Sequence, residues 1–260
     1  MSSSTSSEVV VRTRHLGKAY QLYAHRSDWL KQVMFGTWKT YYKPFWVLRD
    51  IDLDVYRGDS IGILGRNGCG KSTLLQVICG MTLPSNGELR VTGRVAPVLA
   101  LGATFDAELS GRENIMIGGA VMGLTRAEVL EKFDSMAEFA GIGDYMEQPV
   151  KHYSMGMRTR LAFAICAHVE ADILVVDEAL AVGDAAFQRK CLDWIDSFRR
   201  KGTLLFVSHS PSEVRRLCNR AIWIEDGRIR SQGEPSVVIR AYHRAMAMEK
   251  DDIHRFSVSE

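Results

Sequence analysis

Several things are scarce in this 260-residue chain. It has little excess charge of either sign: 33 Lys and Arg stand against 31 Asp and Glu, a formal net charge of +2. A dedicated nucleic-acid binder carries a basic surplus, so no nucleic-acid partner is expected. Long apolar runs are missing as well. Stretches such as 173–176 and 204–207 are a few residues long, whereas a membrane-spanning helix takes about 20. The five cysteines (Cys69, Cys79, Cys166, Cys191, Cys218) are odd in number, scattered and without C-x-x-C spacing. That argues against a disulfide framework or a zinc site and points to a reducing cytosol. Residues 1–8 have neither a basic start nor an apolar stretch, so they are expected to be a disordered tail and not a signal peptide. There is no internal repeat and no linker marking a second large domain. Any membrane role must come through a partner.

At 46% hydrophobic residues, the chain has enough apolar side chain for one large core. The pattern predicts strands at 9–11, 47–55, 60–64, 87–91, 95–99, 173–176 and 203–207, with helices at 71–79, 156–169, 187–199 and 235–248. The region 108–140 has helical spacing with breaks at Gly118-Gly119 and Gly123. A hairpin over 222–229 turns at Asp226-Gly227. Strands alternating with helices predict an α/β fold with a mostly parallel sheet.

Residues 23–46 differ abruptly in composition. Trp29, Phe35, Trp38, Tyr41, Tyr42, Phe45 and Trp46 are mixed with Arg26, Lys31, Lys39 and Lys43. Trp29, Leu30, Val33 and Met34 fall at helical spacing, predicting a short amphipathic helix from near Asp28. Such a segment suits a membrane interface; the alternative is that its aromatics pack on the domain's own sheet.

Gly65-Arg66-Asn67-Gly68-Cys69-Gly70-Lys71-Ser72, followed by Thr73, fits G-x-x-x-x-G-K-[ST] between a strand and a helix. Glycines let the backbone wrap phosphate oxygens, and loop N–H groups with the helix N-terminus present positive potential. Lys71 is expected on the β- and γ-phosphates and Ser72 on Mg²⁺. The Cys69 thiol either offers a modifiable group or fills a tight turn, the second being the commoner use of a small side chain. The strand 173–176 ends in Asp177 and Glu178, suited to holding Mg²⁺ and polarising the attacking water respectively. His209 follows another strand end and is a candidate γ-phosphate contact.

With these motifs in register, Tyr153-Ser154-Met155-Gly156-Met157-Arg158 resembles a variant of the LSGGQ signature of ABC transporter nucleotide-binding subunits. Ser154 and Gly156 match; Met155 and Met157 replace a glycine and the glutamine. The resemblance covers residue 9 to about 242. It implies a P-loop NTPase fold: a RecA-like parallel-sheet core with an antiparallel β subdomain and the ABC α-helical subdomain, the latter at about 105–170. It places one ATPase domain over 9–245, with 246–260 as a short tail. It implies ATP and Mg²⁺, and a head-to-tail dimer in which Ser154 and Gly156 of one copy complete the ATP site of the other. Asp184 matches the D-loop aspartate, Tyr20 the adenine-stacking aromatic, and His209 the switch histidine. One element departs: no glutamine occurs between Gln76 and Gln148. The family's metal-sensing glutamine is replaced near Ala100 or Leu101, with Asp106 and Glu108 the nearest carboxylates that could compensate.

Residues 101–105, 108–115, 153–158 and 177–185 look like the branch that exports bacterial surface polysaccharides such as O-antigen, capsule or teichoic acid on lipid carriers. Members carry an insertion near the adenine-stacking residue, as at 23–46. Partners implied are an integral-membrane permease dimer and, indirectly, a lipid-linked polysaccharide, at the cytoplasmic face of the inner membrane. Some O-antigen members add a carbohydrate-binding domain, which is not expected in a chain ending at Glu260. The alternatives are an importer or efflux ATPase, or a soluble non-transport ABC ATPase.

Overall fold

The wholly apolar runs are buried on both faces, as in a parallel sheet covered by helices on each side. The computed structural model describes residues 8–35, 40–98, 105–177, 184–208 and 210–257. In it, every residue of β3 (Ser60–Leu64), β6 (Ile173–Val176) and β7 (Thr203–Val207) is buried. These three belong to a six-stranded sheet of order β5-β6-β7-β3-β8-β9, with β5 at Val95–Pro97, β8 at Arg220–Glu225 and β9 at Arg228–Gly233. All neighbours run parallel except β8 and β9. Their two-residue turn, Asp226-Gly227, has both residues left-handed (φ 49° and 73°), the conformation a primed hairpin turn needs.

A second, antiparallel sheet has the order β2-β1-β4, with β1 at Val9–Leu22, β2 at Lys43–Tyr56 and β4 at Asn86–Val91. The sequence pattern predicts much shorter strands at 9–11 and 47–55. Register shifts, among them one between Thr13 and Leu16, interrupt the pairing. His15 and Asp50 take left-handed φ of 46° and 58°. Such bulges break the two-residue alternation and hide the continuity of each 14-residue arm. At the far end of the hairpin lies α1 (Arg26–Phe35), close to the predicted start, with no buried residue.

The other helices are α2 (Lys71–Ile78), α3 (Gly111–Val121), α4 (Arg126–Ala140), α5 (Met155–Ala167), α6 (Ala185–Phe198), α7 (Pro211–Leu217) and α8 (Pro235–Ser257). Helices α3 to α5 follow one another between β5 and β6. Capping boxes, Ser110 with Glu113 and Thr125 with Glu128, start α3 and α4. Gly118 and Gly119 do not break α3, as their composition suggested; both are buried inside it. A Cβ on Gly119 would lie 2.5 Å from Val129 Cγ2, so the glycine serves close helix packing. Helix α7 was not evident from periodicity, being only seven residues long, but Ser210 caps it and Pro211 stands at its first turn. The C-terminal segment is a correction as well. Instead of a tail from 246, α8 continues to Ser257, because no glycine or proline interrupts it after Pro235.

One hydrophobic cluster joins the helical subdomain to one face of the parallel sheet, through Ile115, Met136, Phe163, Leu174 and Phe206. A second joins the other face to α2 and the antiparallel sheet, through Leu48, Ile51, Ile61, Leu74 and Val207. No helix among the described residues is long and apolar enough to cross a membrane.

Candidate nucleotide site

The turn from β3 into α2 is built on glycine. Gly68 and Gly70 have φ of 79° and 108°, which L side chains rarely adopt. A Cβ on Gly65 would stand 2.3 Å from the Ile224 carbonyl oxygen, and one on Gly70 2.8 Å from that of Val47. Gly70 is the N-cap of α2 and brings no side-chain cap. The first N–H groups of the helix are therefore left for an anion. Lys71 is buried beneath the loop, its Nζ donating to the Gly65 and Arg66 carbonyls at 2.8 and 2.9 Å. One residue on, the Ser72 hydroxyl donates to the Asp177 carboxylate at 2.7 Å, and Thr73 follows on the helix. A hydroxyl and a carboxylate held together are oxygen donors of the kind that a hard divalent cation takes.

Arg66, Asn67, Gly68 and Cys69 border a cavity of about 620 Å³ whose other wall is Phe45, Trp46 and Val47 of β2 with Trp223 and the β8–β9 turn. Tyr20, expected as the base-stacking ring, does not line it. It pairs with Phe45 across the hairpin and is exposed, with Lys18 Nζ 5.3 Å from its ring centre. The aromatics at the cavity are thus Phe45, Trp46 and Trp223. Only the hairpin register, which the sequence hides, places Phe45 beside Tyr20. Cys69 is half-buried, and desolvation pushes its thiol above the ordinary value. Burial pushes the Cys79, Cys191 and Cys218 thiols up to about 12. Burial disfavours the thiolate form at each of them.

The signature-like residues gather elsewhere. Ser154 caps α5, accepting from the Met157 N–H at 3.2 Å. Ser154, Gly156, Met157, Arg160 and Asp184 line a separate hollow of about 410 Å³. Asp184 caps α6 by accepting from the Phe187 N–H at 2.9 Å, and it pairs with Arg160, whose guanidinium lies over the Phe187 ring. The Phe187 amide first, and then Arg160, hold the Asp184 carboxyl below its ordinary value. The pairing with Arg160 was not legible from sequence, where the two stand 24 positions apart. Glu178, His209, Ala100 and Leu101 lie outside the described residues. Asp106 accepts from the Glu108 N–H and Glu108 pairs with Lys151 at 2.6 Å, so both carboxylates are engaged within their own neighbourhood.

Residues 48–181 match the ABC transporter family. The chain is also 45% identical to the ABC transporter protein AbcA of Aeromonas salmonicida, over 96% of this chain and 81% of that one. It belongs to the ABC transporter family. The O-antigen export system ATP-binding protein RfbB of Klebsiella pneumoniae is 40% identical over 92% of this chain and 99% of its own length. Among solved structures, the dimeric ATP-binding cassette MJ0796 bound to ADP and Pi shares the fold. Its TM-score is 0.68 at 17% identity, covering 86% of this chain and 98% of that chain. As an ABC ATPase, the chain binds nucleotide, and the glycine-built turn before α2 has no side-chain cap of its own. The antiparallel sheet and the α3–α5 subdomain are the expected additions to the P-loop core.

Proposed function

We propose that this chain is the ATP-hydrolysing subunit that powers export of a lipid-linked cell-surface polysaccharide across the bacterial inner membrane. The observation that carries this reading is its 40% identity to an O-antigen export ATP-binding protein, sustained over 99% of that protein's length. A teichoic acids export ATP-binding protein, TagH of Listeria monocytogenes, is equally similar over 90% of this chain. A permease dimer in the membrane and a position at its cytoplasmic face follow from the same reading.

Two copies work head to tail. Residues 66–69 of the P-loop and the Ser154–Asp184 group line different hollows of one chain, which supports a second copy bringing its Ser154 to each bound nucleotide. Lys71 neutralises the β- and γ-phosphates, with backbone N–H groups of 65–73 cradling them. Ser72 and Asp177 would hold Mg²⁺, which would supply neutralisation of phosphate charge. Glu178 orients the attacking water and His209 contacts the γ-phosphate. Phe45, which lines the cavity beside the P-loop turn, offers the base a stacking face, with Tyr20 paired to it across the hairpin. Ser154 and Gly156 at the start of α5, from the opposing copy, add an N-terminal dipole and a hydroxyl. Closure over ATP moves the permease, and hydrolysis reopens the pair.

Helix α1 is the segment placed at the membrane leaflet beside the permease. Trp29, Leu30, Val33, Met34 and Phe35 are each more than half exposed, which favours an external surface over packing on the sheet. The test is recovery of the tagged subunit from detergent-solubilised native membranes, with mass spectrometry of what co-purifies. A multi-spanning permease encoded beside glycosyltransferases is expected. Ribosomes or DNA-repair proteins in its place would overturn the transport assignment and leave the ATPase chemistry standing.

A further inference from the structure

Asn114 is a polar side chain with no access to solvent, and every hydrogen-bonding group of its amide is used. Its Oδ1 accepts from the Asp106 N–H at 2.8 Å. Its Nδ2 donates to the carbonyls of Asp106, Leu109 and Ser110 at 3.0, 3.2 and 2.9 Å. The residue stands in the first turn of α3 and thereby ties down the whole preceding loop, 105–110. A buried amide satisfied in this way specifies one backbone arrangement, since any other leaves groups unpaired.

That loop is in turn laced to the segment leading into α5. The Lys151 N–H donates to the Ala107 carbonyl at 2.8 Å and the Val150 N–H to that of Leu109 at 2.9 Å. Ser110 and Pro149 form an antiparallel bridge, and the Lys151 ammonium meets Glu108. Two residues beyond Lys151 comes Tyr153, buried, its hydroxyl donating to the Tyr145 carbonyl at 2.5 Å. Gly111 packs under that ring so tightly that a Cβ there would lie 2.2 Å from the Tyr153 hydroxyl oxygen. The next residue is Ser154, the cap of α5.

We propose that Asn114 is a positioning residue: by fixing the loop 105–110 against 149–153 it sets where Ser154 stands. The exposed outer side of the loop, Asp106 to Glu108, then moves with the start of α5 as one body. A displacement imposed on the loop is delivered to Ser154 without being absorbed on the way. This rests on the reading that Ser154 completes the nucleotide site of a second copy.

The experiment uses the full chain carrying Asn114→Ala, Asn114→Asp or Gly111→Ala, and measures thermal midpoint, affinity for a fluorescent ATP analogue, and steady-state kcat and KM for ATP. The phosphate-binding turn is in a different part of the molecule, so analogue affinity should stay within about twofold. Turnover depends on Ser154 being in place, and a displacement of about 1 Å should lower kcat ~10- to 100-fold per folded subunit. Tyr153→Phe removes the nearest of the atoms that the Gly111→Ala methyl would meet, leaving Met146 at 3.0 Å, and adding it should restore part of the lost kcat. Where Asn114→Ala does not fold, the other two variants decide. Unchanged kcat per folded subunit in them overturns the proposal, as does a parallel loss of kcat and analogue affinity, which is what a purely structural role produces. A wild-type chain that binds the analogue but shows no ATP turnover would overturn the ATPase reading itself, and this inference with it.

Discussion

The Ser72 hydroxyl donates to Asp177 at 2.7 Å across 105 positions of sequence, and this bond is the point where the helix after β3 meets the end of β6. It holds two oxygen donors side by side. Asp177→Asn keeps the shape and removes the charge proposed to hold a divalent cation. Phosphate release should fall by about two orders of magnitude, and raising Mg²⁺ should recover part of it. Release that is unchanged and indifferent to Mg²⁺ would remove Asp177 from the metal site.

Glu178 follows directly, and its assigned work is on the attacking water. Glu178→Gln should bind ATP as the parent does and hydrolyse it slowly, so that dimers persist in ATP. Sedimentation in ATP and in ADP, together with a phosphate-release assay, checks both halves. Parent-like turnover would remove Glu178 from its role.

Asp184 gives a pH signature whose sign can be worked out. The Phe187 amide and Arg160 favour its charged form, so its folded value lies below the unfolded one of about 3.9. Its stabilising contribution is complete above that unfolded value and is lost as pH falls through the lower, folded one. Asn caps a helix nearly as well as Asp, so Asp184→Asn isolates the charge. The parent should melt at a higher temperature than Asp184→Asn at pH 6, and the gap should close as the pH is taken below about 4. A constant gap across that range would mean the carboxylate is not the group responsible.

Helix α1 offers the cleanest separation of stability from function. Trp29→Ser, Val33→Ser and Phe35→Ser together replace side chains that bury little within the chain, so the thermal midpoint and the subunit's own ATPase rate should hold. Binding to anionic vesicles, and export in cells, should drop. A lower midpoint would show that these side chains are packed after all.

How much of this was legible in the residues depended on how local each signal is. The phosphate turn, β6 with its terminal acid, and the cap at Ser154 are written in short contiguous motifs, because tight turns and helix ends admit few side chains. The long arms of the β1–β2 hairpin were not legible. Bulges at His15 and Asp50 reset the alternation, and a two-residue period cannot be followed through a change of phase. Phe45 as a wall of the cavity beside the P-loop turn, Arg160 as the partner of Asp184, and Asn114 as the pin of its loop all depend on which distant segments meet. Gly119 misled for a related reason: its role in the α3–α4 contact is visible only with Val129 beside it.

Asp28 and Gln32 of α1 hold backbone N–H groups of His25 and Tyr41, but its apolar side chains are exposed, and the rest of the fold sets little condition on what those are. Substitutions there escape the veto that packing imposes on the core, and selection on them comes from whatever the helix meets outside the chain. The tip of the β1–β2 hairpin is therefore a surface whose apolar side chains can change without disturbing the core beneath it.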